Sequence, residues 1–324
     1  MPKRRIMIAA ALAIVLIFVL VGISRFSGPN PHLSLPAEAI FRLHLPLIGE
    51  FLITNTLLAS WLSILVLAAL FYTGTRKMEL IPGRWQNAVE MAIEMLLNFV
   101  EGVAGKENGR RFFPVIATIF LFVLANAWFA LLPVFNSIGF GERRVYETAF
   151  VGTREGFVVE APLLRAANTD INVPLALALM SFVFVEYWGV SSLGLLTYSS
   201  KFIRIGGLLR GVGQLAQRKF RRAFGEFFTG AIDAFVGVLE AFSELIRIIS
   251  FTFRLFGNMT AGEVLLVMIG FLIPWVLADV FYALEAILGF VQALIFSGLT
   301  LVFATLAVTP HGGEHDRGET ASGG

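Results

Sequence analysis

The chain has 324 residues, a net charge of +2, no cysteine, and 57% hydrophobic against 15% charged residues, with a mean hydropathy of +0.79. The missing cysteines exclude a disulfide framework, a thiolate metal site and a cysteine nucleophile, and so small a net charge argues against nucleic acid as a partner. What remains is an integral membrane protein whose first partner is the lipid bilayer.

In chain order, an apolar run over residues 6–24 follows Lys3, Arg4 and Arg5. We read it as a retained span, although Gly22 and Ser24 would also suit a cleaved signal. Residues 1–50 then form an amino-terminal membrane segment with an external linker. Apolar stretches at 51–73, 112–135 and 171–197 each reach the roughly 20 residues that cross hydrocarbon as helix, and continuous runs of this kind exclude a strand barrel. Between the first two, Trp85, Val89, Ile93, Leu96, Val100 and Val103 fall on one side, while Asn87, Glu90, Glu94, Asn98 and Glu101 fall on the other. That pattern predicts an amphipathic helix on the membrane surface.

Two longer runs, 233–273 and 276–308, close the membrane part. At 1.5 Å per residue the first would reach about 60 Å, twice the hydrocarbon thickness, so it must lie steeply oblique or break into a hairpin. The expected fold class is therefore all-α, with about six membrane segments, a surface amphipathic helix and a final pair of long, tilted antiparallel helices. Six lysines and arginines between Arg76 and Arg111 and seven between Lys201 and Arg222 mark cytoplasmic segments. The mixed-charge segment 136–170 falls outside, the membrane domain runs over 51–308, and 309–324 reads as a disordered cytoplasmic tail. No internal repeat is visible, so the inverted halves of many transporters lack support.

The penultimate run carries Glu240, Arg247 and Arg254 at spacings of seven, with Ser243, Ser250 and Gly257 in a parallel row and Asn258 and Glu263 further along. Such charges can snorkel or pair within the bundle, and Glu240 and Arg247 suit that reading equally. Arg254 is different, because a guanidinium cannot discharge, and at membrane depth it costs about 2.5 to well over 10 kcal/mol. A permanent cation in that setting points to a protein that handles ions or protons. In the last run Glu285 and Gln292 are again seven apart. Counting both ways from Pro274 places Gln292 level with Arg254, and Glu285 level with Glu263. Two close acids cannot both stay ionised easily, so one could hold or relay a proton. The alternative is that they simply join the helices by a hydrogen bond.

Arg254-Leu-Phe-Gly-Asn-Met-Thr-Ala-Gly-Glu263 closely resembles the signature of the a subunit of F-type ATP synthases. Thr54-Asn55-Thr56, Ile81-Pro82 through Gln86-Asn87 and Glu90, Phe113-Pro114 through Asn126 to Pro133, and Asp170-Ile171-Asn172 resemble the family pattern in the same order. The resemblance covers roughly residues 50–308 and implies a fixed stator beside a ring of c subunits, with two offset half-channels for protons. It implies that Arg254 faces the ring carboxylate and stops protons leaking straight across. Asn258, Glu263, Glu285 and Gln292 match the outer half-channel, with Asp170 and Asn172 near its mouth. Glu240, Ser243, Arg247 and Ser250 match the cytoplasmic path.

The implied partners are the c-subunit ring, b-type peripheral stalk subunits and, indirectly, the other synthase subunits, in the inner (plasma) membrane of a prokaryote. No cofactor or metal is expected. Four departures stand out, the first being that the amino-terminal segment 1–50 is extra to the family pattern. Bacterial members often pair an acid with a histidine where this chain has Glu263 and Glu285, the basic stretch 201–230 is long, and no proline precedes Glu240.

Other motifs fail on context. His311-Gly-Gly-Glu314-His315 spells a zinc-peptidase motif in a glycine-rich tail, where no helix aims the ligands. Gly211-Val-Gly213-Gln-Leu-Ala216 mimics a dinucleotide fingerprint without a preceding strand. With no Gly-x4-Gly-Lys-Ser/Thr loop, the chain should not bind or hydrolyse ATP itself. The competing readings are a self-contained antiporter or channel with a midplane Arg/Glu site, and a structural membrane scaffold.

Overall fold

Apolar runs become helices because hydrocarbon offers no partner to a backbone N–H, which must find its carbonyl within its own segment. The computed structural model describes residues 36–45, 49–76, 78–132, 135, 138–148, 152–195, 198, 220–272 and 276–309. The expected span at 6–24, most of the basic stretch, the turn at Pro274 and the tail beyond Thr309 lie outside these residues.

Helix α1 (Asn55–Thr75) starts where the Thr54 hydroxyl accepts from the Leu57 backbone N–H at 3.3 Å, a side-chain cap. Its start thus falls later than the expected residue 51. Helix α2 (Arg84–Ala104) is the amphipathic element, with Val89, Leu96 and Val100 buried and Glu90 and Glu94 exposed. Trp85 and Val103, assigned to its apolar side, are exposed here. Gly105, at φ 77°, makes the turn that no residue with a Cβ adopts cheaply, and α3 (Lys106–Ala130) follows at once. Helix α4 (Asn172–Leu193) ends at Gly194, whose N–H returns to Val190 O at 2.9 Å.

The long run is one continuous helix, α5 (Phe220–Leu272, 53 residues), so the hairpin alternative drops out. Helix α6 (Val276–Val308) follows it. Gly262 lies against Glu285, and Phe251 against Phe303. Indices fall on one helix as they rise on the other, the mark of an antiparallel pair. Among the described residues, four helices are long and apolar enough to cross a membrane: α1, α3, α4 and Ala278–Val308 of α6.

The helical class holds, with an addition. Two antiparallel hairpins, β1 (Ala39–Leu45) with β2 (Gly49–Thr54) and β3 (Gly139–Thr148) with β4 (Gly152–Pro162), occupy the stretch read as external linker, the first residues of the expected 51–73 span and the segment 136–170 placed outside. Asn55 ties both to the start of α1, accepting from the Glu38 N–H at 3.3 Å and donating to Pro162 O at 3.2 Å.

Contacts gather into two compact units. One comprises the chain up to Ile93, Thr118–Pro174 and Phe253–Phe296. Its interior includes Ala59, Phe135 and Ala167, with Leu62, Phe129 and Leu164 around them, and Ser63 donates to Asn126 Oδ1 at 2.9 Å. The other comprises Glu94–Ala117, Leu175–Thr252 and Ser297 onward. It packs Val100, Phe112, Ile116, Val185, Trp188 and Leu301 together, with a Ser181–Thr300 hydroxyl pair at 2.8 Å. The α5 residues up to Thr252 belong to this second unit, and those from Phe253 to the first.

Candidate functional site

In the first unit, every residue from Arg165 to Asp170 is buried, although the stretch is loop and one short 3-10 turn, Ala167–Thr169. A buried loop must find partners for its polar groups. Asn168 donates to Val123 O at 3.4 Å. Asp170 accepts from the Thr56 hydroxyl at 2.9 Å and from the backbone and side-chain nitrogens of Asn172 at 3.1 and 2.9 Å. The loop is thereby strapped to α1, α3 and the start of α4.

The strapped loop delivers Arg165 to Glu263 on α5. Nε donates to both carboxylate oxygens at 3.2 and 3.3 Å, Nη2 to Oε2 at 3.2 Å, and Nη1 reaches Pro36 O at 3.4 Å. Both partners are enclosed, their side chains only 8% and 15% exposed. A forked contact of this kind is among the stronger charge-assisted bonds.

Glu263 and Glu285 line one cavity of about 250 Å³, walled by Ala127, Leu131, Phe135, Met259, Leu266 and Tyr282. It has room for several water molecules and carries the polar groups that water needs. The Glu285 carboxyl packs against Gly262, where a Cβ would collide with it. Glu285 makes no hydrogen bond or ion pair among the described residues, in contrast to its neighbour.

Gln292 is buried on α6, and its Nε2 has no hydrogen-bond partner among the described residues. Asn258 is half-buried. Arg254 is exposed on α5, on a strip with Gly257, Ala261 and Leu265, which are also exposed. Asn172 is exposed at the head of α4.

The second unit holds its own charged cluster. Arg247 grips Glu244 with Nη1 to Oε2 at 2.6 Å and Nη2 to Oε1 at 2.9 Å, and lies 3.7 Å above the Phe303 ring. Tyr198 and Glu186 belong to the same neighbourhood. Burial, reinforced by the Glu186 carboxylate, pushes the Tyr198 phenol up, so it stays a protonated donor. Ser243 is exposed and donates to Leu239 O in its own helix at 2.8 Å. Ser250 is exposed and Glu240 half-buried.

Sequence reading missed Arg165, Glu244, Glu186 and Tyr198. Glu244 was legible as an i, i+3 partner of Arg247 on one helix. Arg165 was not, since 98 residues separate it from Glu263. Among the described residues, no three acidic or histidine side chains group as metal ligands would.

The family model described as "ATP synthase A chain" matches residues 57–305. ATP synthase subunit a of Gloeobacter violaceus is 29% identical over 261 residues, 81% of this chain and 86% of that protein. The subunit a of Moorella thermoacetica is 26% identical, covering 82% and 95% of the two chains, and that of Cereibacter sphaeroides 30% identical, covering 79% and 81%. With more than half its length matched and its helices apolar enough to cross a bilayer, this multi-pass membrane protein belongs to the ATP synthase A chain family.

Proposed function

We propose that the chain is the proton-translocating stator subunit of a rotary ATP synthase in a bacterial plasma membrane, and that it takes no part in nucleotide chemistry. The observation that carries this reading is Arg254. Its neighbours on the strip, Gly257 and Ala261, are small and exposed, which would let another helix approach closely. The partner that suits a fixed, exposed guanidinium is a membrane carboxylate carried past it on a c ring. Facing Arg254, that carboxylate gives up its proton, and the cation bars a direct path across.

The two charged clusters support two half-channels. Glu263, Glu285, Gln292 and Asn258, with Asp170 and Asn172 toward its mouth, would serve the outer one. Glu240 and Arg247, with Glu244 now added, would serve the cytoplasmic one, and Ser243 and Ser250 would flank it. Each proton crossing 100 mV supplies about 2.3 kcal/mol, and several per turn give useful torque. A b-type stalk would hold the stator against that torque.

In membranes carrying the assembled complex, Arg254→Ala should abolish ATP-driven proton pumping while ATP hydrolysis persists. Normal pumping by that variant would refute the reading. Ion transport by the purified chain alone in liposomes would replace it with an antiporter.

A further inference from the structure

The two acids in the outer cavity are not equivalent. Glu263 is held at both oxygens by Arg165, whereas Glu285 faces the same cavity with no ion pair among the described residues. Arg165 cannot release its proton under any physiological condition. A carboxylate locked to such a cation is poorly suited to taking up and passing on protons, because each uptake would break the forked pair inside an enclosed site. We propose that Arg165 is a positioning residue that makes Glu263 a fixed anion, and that Glu285 is the carboxyl that carries the mobile proton at this level. The proposal rests on the outer half-channel reading above.

The step balances simply. A proton arriving through cavity water binds a Glu285 oxygen, and the same proton leaves toward the ring carboxylate. Arg165 and Glu263 gain and lose none. Their task is electrostatic: the pair presents no net charge to Glu285, so the second acid can ionise and reprotonate without facing an uncompensated anion. Without Arg165, Glu263 would face Glu285 as an anion that the Arg165 guanidinium no longer offsets. The buried loop explains why the cation is dependable, since Asn168 within the short turn and Asp170 directly after it fix the segment. Nη1 is braced again on Pro36 O.

The test uses the whole synthase in inverted membrane vesicles, reading ATP-driven acidification together with the amount of assembled complex. Arg165→Gln should lower the pumping rate by about tenfold or more, as expected when one partner of a buried pair is removed. Arg165→Lys, which keeps the charge but loses the fork, should retain a larger share than Arg165→Gln. The discriminating variant is the double one. With Arg165→Gln and Glu263→Gln combined, both charges of the pair are removed together, so pumping should rise above that of Arg165→Gln alone. Glu285→Gln should be the most damaging single change of the three positions.

Wild-type pumping by Arg165→Gln, a double variant no better than Arg165→Gln alone, or Glu263→Gln as damaging as Glu285→Gln would each overturn the proposal. Full pumping by both Glu285→Gln and Arg254→Ala would instead sink the half-channel reading on which it rests.

Discussion

A methyl group at Gly262 would occupy the position that the Glu285 carboxyl already fills. The absence of a side chain there is what lets an acid from α6 lie flush against α5. Gly262→Ala should therefore push Glu285 out of place, slowing ATP-driven pumping by about tenfold, with overpacking costing about 1–3 kcal/mol. Pumping and the quantity of intact complex, measured side by side, separate a displaced acid from a failure to assemble. Unchanged pumping would show that Glu285 has slack that the packing does not suggest. A similar argument applies to Gly189, where a Cβ would strike the Tyr198 ring.

Among the elements, helices were the legible part and hairpins were not. The expected runs at 171–197 and 276–308 correspond to α4 and α6, because length and apolarity alone dictate helix in hydrocarbon. Strands β1 to β4 went unread, although Phe41-Arg42-Leu43-His44 alternates as a strand does. Charge and apolarity place such segments inside or outside the membrane but carry no information on strand pairing. The site divides the same way. Acids and amides on α5 and α6 announce themselves by standing in apolar runs, whereas Arg165 is one of four arginines in a polar segment. Only the closed loop reveals that Arg165 turns inward.

Between elements, Ser63 on α1 and Asn126 on α3 form a buried polar contact, and Asn126 also donates to Phe122 O at 2.9 Å. Asn126→Ala should lower the thermal stability of the solubilised complex by about 0.6 to 2 kcal/mol, the range for such bonds between membrane helices. No measurable loss would mean that the Ser63 hydroxyl is satisfied by its own helix, through Ala59 O at 3.0 Å.

For the molecule as a whole, each compact unit contains one charged cluster, and α5 contributes to both: Glu244 and Arg247 to one, Glu263 to the other. If protons must use both paths in turn, the slower one governs the rate. Glu285→Gln and Glu244→Gln should then each depress passive proton conduction, and the combined variant should be about as slow as the worse single one, departing from simple additivity. Multiplying losses would argue against two steps in series.

Gln292 completes this picture. Its amide nitrogen keeps two hydrogens in an enclosed place where none of the described residues accepts them. Desolvating an amide without compensation costs about 1–3 kcal/mol, so the group is a standing invitation to solvent. In the half-channel proposed above, that group would act as a wick, drawing water to its level of α6 so that a travelling charge meets no dry gap there.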